Sequence, residues 1–223
     1  MSRDLELALS LADAADAISL PRFRARDLQV ETKPDLTPVS EADRAVEAAL
    51  RQRLALERPE EPVLGEEEGG ADSSGWILDP IDGTRNYTRG IPVWATLISY
   101  ADRVAVASAP ALGRRWWAER GAGAFANGER MRVSAIERLE DATVVYGLDR
   151  PPPPRAYDAW HLRGFGDFWS HMLVAEGSAE AAFDAEGLAI WDTASMRVIV
   201  EEAGGRFDDP VSWNGRLDLT GLR

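Results

Sequence analysis

Trp76-Ile77-Leu78-Asp79-Pro80-Ile81-Asp82-Gly83-Thr84 is the stretch on which the reading of this chain turns. Its first three residues are a short apolar run, the signature of a buried strand. A buried strand that ends in a carboxylate carries that group to the rim of a sheet. Pro80 fixes φ and has no N–H, so the chain leaves the strand along a defined path. Asp79 and Asp82 then face one point with the Ile81 carbonyl between them, an oxygen-rich set that suits a hard cation such as Mg²⁺. Gly83 permits close backbone approach. Thr84 adds a hydroxyl and an N–H at a predicted helix N-terminus, where free amides suit a phosphate oxygen. Acids for a metal beside amides for a phosphate is the arrangement that phosphate-ester hydrolysis requires. The same segment is also a sound turn, because Asp and Gly are favoured in turns for local reasons.

Further acids are placed in a similar way. Val63-Leu64-Gly65 is a short strand candidate that runs into Glu66-Glu67-Glu68, and Trp191-Asp192 puts an acid at the start of a helix. Ser40 reads as an N-cap with Asp43 at the N3 position of the helix that follows. Singly, each has a plain structural reading: Asp43 completes a capping box, Glu66 to Glu68 are a solvated acidic run, and Asp192 complements a helix dipole. Jointly, in this order and beside these strands, they form a set of metal and catalytic candidates. His161 and His171 read as packing or surface residues.

Composition narrows the field. The 223 residues include no cysteine and two histidines, which excludes disulfides, zinc–thiolate sites, iron–sulfur clusters, a Cys nucleophile and a His-rich metal site. Hydrophobic residues at 45% and charged residues at 28% are ordinary for a globular chain. The net charge of −13 makes cations better partners than nucleic acid or an anionic membrane. No apolar run reaches the ~18 residues of a membrane span. The N-terminus carries acids through its apolar stretch, unlike a signal peptide. A cytoplasmic protein is expected.

Along the chain, helical spacing predicts a helix over residues 3–20, ended by Pro21. Residues 22–39 read as irregular. The helix after Ser40 buries Ala42, Val46, Ala49, Leu50 and Leu54 and closes before Pro59 and Pro62. Residues 93–100 and 103–109 predict a hairpin around Ala101-Asp102, with a further strand over 113–119 and a turn at Asn127-Gly128. Beyond a strand at 142–146, Pro151 to Pro154 read as a stiff polyproline connection between subdomains of about 1–140 and 141–223 within one domain. Helices over 168–175 and 191–203 flank a strand at 179–183, and Arg206-Phe207 begin another. Strands and helices are mixed rather than alternating, which favours α+β over a doubly wound sheet.

The ordered set of Asp43, Gly65-Glu66-Glu67, Trp76 to Thr84 and Trp191-Asp192-Thr193-Ala194 resembles the inositol monophosphatase superfamily of magnesium-dependent, lithium-sensitive phosphatases over roughly residues 5–208. The segments at 35–44, 90–98 and 109–117, with Gly166-Asp167-Phe168, are most similar to bacterial histidinol-phosphatases of that type. The resemblance implies a layered αβαβα sandwich like that of inositol monophosphatase and fructose-1,6-bisphosphatase. It also implies a homodimer and two or three Mg²⁺ ions per site. By position, Glu66, Asp79, the Ile81 carbonyl and Asp82 would hold a first ion, and Asp79, Asp82 and Asp192 a second. Glu67 would be a neighbouring support. Asp43 and Thr84 would orient and help deprotonate an attacking water. The amides of Gly83 and Thr84 would hold the phosphate of a small phosphorylated metabolite, with Arg163, Asp167 and Asp192 as further substrate contacts. Asp167 would suit the amino group of L-histidinol phosphate. Inositol monophosphate, a sugar phosphate or a 3′-phosphoadenosine nucleotide are the alternative substrates, and a metal-binding homologue with impaired catalysis is the alternative role. Family members continue through a closing strand and helix, so a shortened second half is expected where this chain ends at Arg223.

Overall fold

The computed structural model describes residues 1–34, 36–70, 72–147 and 152–222. Helix α1 (Arg3–Arg22) is capped by the Ser2 hydroxyl and buries Leu5, Ala8, Leu11, Ala12 and Ala15 along one side. It continues past Pro21, because a proline in the last turn removes only one ladder bond, and the Phe23 amide caps the end on the Ser19 and Leu20 carbonyls. The region read as irregular contains a small antiparallel hairpin, β1 (Val30–Thr32) and β2 (Pro38–Ser40). Strands of three residues are too short to show a period. Ser40 and Asp43 then close a capping box on α2 (Glu41–Glu57).

Next come β3 (Val63–Gly65), β4 (Trp76–Asp82), the short α3 (Thr84–Arg89), β5 (Ala95–Tyr100), β6 (Val104–Ala109), β7 (Arg114–Glu119), β8 (Gly123–Ala126) and β9 (Glu129–Arg130). They form one seven-stranded sheet in sequence order, parallel only between β3 and β4. The predicted hairpin joins β5 to β6 through residues 101–103, with Ala101 and Asp102 both at left-handed φ of 49° and 51° and the Arg103 amide donating to the Tyr100 carbonyl at 2.8 Å.

The remaining elements are β10 (Thr143–Gly147), β11 (His161–Arg163), α4 (Asp167–Ala175), β12 (Ala181–Asp184), α5 (Ile190–Glu202), β13 (Arg206–Asp208) and β14 (Val211–Trp213). A five-stranded mixed sheet runs β11-β10-β12-β14-β13. Where a single strand was expected to begin at Arg206, the chain makes a hairpin, and β14 rather than β13 pairs with β12. Of the proline tetrad, Pro151 lies outside the described residues, Pro153 has polyproline angles (φ −63°, ψ 155°), and Pro154 opens a 3₁₀ turn.

The packing is layered. α1 and α2 cover one face of the large sheet, with Trp76 and Leu78 of β4, Ile98 of β5 and Val104 and Val106 of β6 beneath them. The alternate residues, such as Leu97, Ala105 and Ala107, face the other way into a second core with α4 and α5. That core reaches Val145 and Ala182 of the small sheet, so α4 and α5 are sandwiched between two sheets. The outer face of the small sheet is covered by Leu139, Ala156, Leu217 and Leu222, from 3₁₀ turns and the C-terminal stretch. The architecture is an α+β sandwich of helices and two sheets. Alternation with period two gives the central strands β4, β5 and β6 two buried faces.

Candidate active site

The acids converge because β4 is irregular. Residues 79 and 82 are an odd number apart, so on a regular strand their side chains would point to opposite faces. Pairing with β5 slips between Asp79↔Leu97 and Asp82↔Ala95, three steps against two. An extra residue of this kind bends and twists a strand, and here it lies at Pro80-Ile81, where a proline has no N–H to lose. The Thr96 hydroxyl donates to the Pro80 carbonyl at 2.8 Å, satisfying the bulge. β4 therefore extends through the segment that also reads as a turn, and the turn comes only at Gly83.

Asp192 arrives from elsewhere, in the first turn of α5, where its Oδ2 accepts the Ala189 N–H at 2.8 Å. One carboxylate oxygen each from Asp79, Asp82 and Asp192 lie within 4.8 Å of one another. Asp82 Oδ2 accepts the Phe168 amide at 2.7 Å, while Asp79 Oδ1 is buried with no hydrogen-bond partner. Burial pushes the pKa of Asp79 well up, and the nearby Glu66, Asp82, Asp192 and Asp43 push it further. Asp82 is raised too, first by burial and then by Asp167 and Asp192. Asp192 is raised to about 6, chiefly by burial. Clustered, buried carboxylates with an orphaned oxygen fit a hard, oxygen-seeking divalent cation, which would remove both the repulsion and the unsatisfied acceptor.

Glu66 lines the same cavity but stands outside that triad, because Lys33 of the β1–β2 hairpin takes it. Lys33 Nζ donates to Glu66 Oε1 at 2.7 Å and to Glu67 Oε1 at 2.6 Å. Burial alone would lower the pKa of Lys33, and the two carboxylates reverse the shift. The acidic turn is fixed from behind by Glu47, which is fully buried and accepts the amides of Glu67 and Glu68 at 2.7 and 3.0 Å. A β-carbon on Gly65 would lie 2.2 Å from Glu47 Oε1, so only glycine lets that carboxylate reach the turn. Sequence reading missed Lys33 and Glu47. The signal for Glu47 was a charge at a core position of α2, four residues from both Asp43 and Arg51, and Arg51 donates to it at 2.8 Å.

Asp43 carries both of its predicted contacts. Its Oδ2 accepts the Ser40 N–H at 2.9 Å, and its Oδ1 stands 3.3 Å from the Thr84 hydroxyl. Thr84 Oγ1 also lies 2.9 Å from the Ile81 carbonyl. Burial raises the pKa of Asp43, partly offset by the Ser40 hydrogen bonds. Gly83 turns the chain at φ 81°, and a β-carbon there would lie 3.1 Å from the Val93 carbonyl and 3.3 Å from Asp167 Oδ2.

Glu66, Asp79, Ile81, Asp82, Gly83, Thr84 and Asp192 line a cavity of about 610 Å³. The cavity is also lined by Asp167, Asp184, Arg85, Phe165 and the glycines 147 and 166. Asp167 accepts Asn86 Nδ2 at 3.1 Å, and its pKa is raised to about 6 by burial first and Asp184 second. Arg163 is not brought in: it is exposed on β11, does not line the cavity, and donates to the adjacent Leu162 carbonyl. Among the described residues, Arg85, which sequence reading passed over, is the arginine that lines it.

The inositol monophosphatase family profile matches residues 1–216. The chain belongs to that family. It is 47% identical to the histidinol-phosphatase of Streptomyces coelicolor over 92% of this chain and 85% of that one. It is also 47% identical to the histidinol-phosphatase of Mycobacterium tuberculosis, over 91% and 86%. Among solved structures, Thermotoga maritima IMPase superposes with a TM-score of 0.86 at 26% identity, covering 96% of this chain and 93% of that one.

Proposed function

We propose that the protein is a Mg²⁺-dependent phosphomonoester hydrolase that converts L-histidinol phosphate and water to L-histidinol and inorganic phosphate. The observation that carries the chemistry is the buried triad of Asp79, Asp82 and Asp192 with its orphaned Asp79 oxygen. The histidinol-phosphatase relatives at 47% identity support the substrate.

Asp79, Asp82, Asp192, Glu66 and the Ile81 carbonyl would hold two ions, with Glu67 available to a third. When bound, Mg²⁺ supplies positive charge that offsets the phosphoryl oxygens and acidifies water. The chain's own part is positional and acid–base. Thr84 has one proton and two acceptors in reach, Asp43 and the Ile81 carbonyl. Donation to Asp43 leaves its oxygen lone pairs to receive a proton from the attacking water. Asp43 is suited to accept, because burial raises its basicity. The water oxygen forms the new bond to phosphorus in line with the ester oxygen and passes one proton through Thr84 to Asp43, the P–O ester bond breaks, and the leaving alkoxide takes a proton from solvent, to which Asp43 returns its own. The amides of Gly83 and Thr84 would hold the phosphate, Asp192 would border the leaving alcohol, and Asp167 would face its ammonium. The cation requirement reconciles a net charge of −13 with an anionic substrate.

The catalytic unit is read as one domain of two halves dividing near residue 140, as a homodimer, and as cytoplasmic; among the described residues, no helix is long and apolar enough to cross a membrane. The test is phosphate release with Mg²⁺ from L-histidinol phosphate, inositol 1-phosphate, fructose 1,6-bisphosphate and 3′-phosphoadenosine 5′-phosphate. The expected result is a strong preference for L-histidinol phosphate. Preference for another ester would refute the substrate, and turnover of none by a folded, Mg²⁺-binding protein would refute the activity.

A further inference from the structure

We infer that Thr96 is a positioning residue for the metal-binding acids: its buried hydroxyl holds the β4 bulge in the shape that turns Asp79 and Asp82 to one side. This rests on the part of the proposed function that places a divalent cation among those acids.

The register defines the bulge. Leu97 of β5 pairs with Asp79 and Ala95 with Asp82, so Pro80 and Ile81 together stand opposite Thr96 alone. Two residues against one interrupt the ladder and leave backbone groups in need of other partners. The Thr96 hydroxyl supplies one, donating to the Pro80 carbonyl at 2.8 Å, and both residues are buried, Thr96 completely. The pyrrolidine ring already fixes φ of Pro80. Its ψ remains, and that angle sets where the carbonyl points. The hydrogen bond therefore fixes the one torsion of Pro80 that the ring leaves open. Ile81 is held separately: its side chain is fully buried with Ala42, Tyr87 and Trp94, and its carbonyl lies 2.9 Å from the Thr84 hydroxyl.

The hydroxyl has no other visible task. Thr96 sits between Ala95 and Leu97, both fully buried in the core against α4 and α5, and its cross-strand neighbour Ser108 turns its own hydroxyl to Asp16 at 2.8 Å. A buried hydroxyl among such neighbours costs free energy unless it is bonded. Valine has the same branched shape and suits a buried strand, so what threonine adds here is the bond to Pro80. Without it the Pro80 carbonyl would be buried and unpaired. Turning about ψ of Pro80 to find another partner would shift Ile81 and Asp82 relative to Asp79. Oxygens of Asp79, Asp82 and Asp192 lie within 4.8 Å of one another, and Mg²⁺ tolerates little departure from its preferred geometry.

The test measures Mg²⁺ affinity by calorimetry, metal-free Tm and the Mg²⁺ concentration for half-maximal phosphate release, in the wild type, Thr96→Val and Thr96→Ser. Thr96→Val keeps the branch and removes the hydroxyl; Thr96→Ser keeps the hydroxyl and removes the methyl. Thr96→Val should weaken Mg²⁺ binding about tenfold, as loss of an outer-shell partner does, with the same shift in the activation curve and a smaller fall in kcat at saturating Mg²⁺. Thr96→Ser should keep the wild-type affinity while its Tm falls, because it opens a methyl-sized void. Unchanged affinity in Thr96→Val overturns the inference and leaves the metal site standing, whatever happens to Tm. Equal losses of affinity in both variants also overturn it, since they assign the effect to the methyl. A wild type that binds no Mg²⁺ overturns the metal site and the inference with it. Should Thr96→Val not fold, Thr96→Ala is set beside Thr96→Ser: both lack the methyl and only one has the hydroxyl, so weaker Mg²⁺ binding in Thr96→Ala supports the inference and equal binding overturns it.

Discussion

The two walls of the cavity are built differently. One wall is a single strand end: Asp79, Ile81, Asp82, Gly83 and Thr84 are nearly consecutive, and a bulge in β4 turns two acids of opposite parity to one side. The other wall is assembled from the ends of β10 and β12 and the start of α4, with Gly147, Gly166, Asp167 and Asp184 brought together across 38 positions of sequence. The first wall carries groups that any phosphate monoester needs. On the proposed function, the second would face the alcohol, where substrates differ. Chemistry common to a family can be written in one stretch, whereas selectivity is distributed over elements that only the fold joins.

The largest effect expected from this contrast is on the first wall. Asp82→Asn should lower kcat/KM by more than ~100-fold, beyond the 10–100-fold typical of a change one shell further out. Because it removes a repelling charge, its metal-free Tm should stay level or rise; a folded variant with full activity would break the assignment. Thr84→Ala should cost about 100-fold in kcat with little change in KM, the range of general acid–base assistance. Equal losses in kcat/KM with kcat unchanged would instead make Thr84 a binding residue.

Glu47→Gln probes what lies behind the wall. It should raise the Mg²⁺ concentration for half-maximal activity by about tenfold, as outer-shell changes do, and calorimetry should report the same loss of affinity. A lower Tm with unaltered Mg²⁺ binding would reduce Glu47 to packing.

The smallest effect is electrostatic. Asp192 and Asp167 have folded pKa values raised to about 6 by burial, against about 3.9 unfolded. Between those values the folded state holds more protons, so this contribution to stability is present at low pH and is lost as pH rises through about 6. Metal-free protein should accordingly lose more Tm between pH 5 and pH 7.5 than Asp192→Asn does, and saturating Mg²⁺ should remove the difference. An identical pH slope in both proteins would contradict the burial.

What was legible follows the same division. The α1 stripe, the α2 capping box, the β5–β6 hairpin and the strand entering Asp79 were readable because each is local: a period, a cap or a turn. Asp43 was ambiguous between cap and catalyst, and it makes both sets of contacts. The β1–β2 hairpin was hidden, and Lys33 with it, because three-residue strands carry no pattern. The β13–β14 hairpin was half seen, since the pairing of β14 with β12 is a long-range choice. Arg163 was carried over from a family resemblance and not from geometry, and it is exposed on its strand.

The most direct test of the account is the initial rate of phosphate release from L-histidinol phosphate as free Mg²⁺ is titrated from chelator to excess, in the wild type and in Asp79→Asn. The account predicts no turnover with chelator, saturable activation by Mg²⁺ in the wild type, and loss of that activation in a folded Asp79→Asn. A rate that ignores Mg²⁺, or one that Asp79→Asn leaves intact, would contradict it.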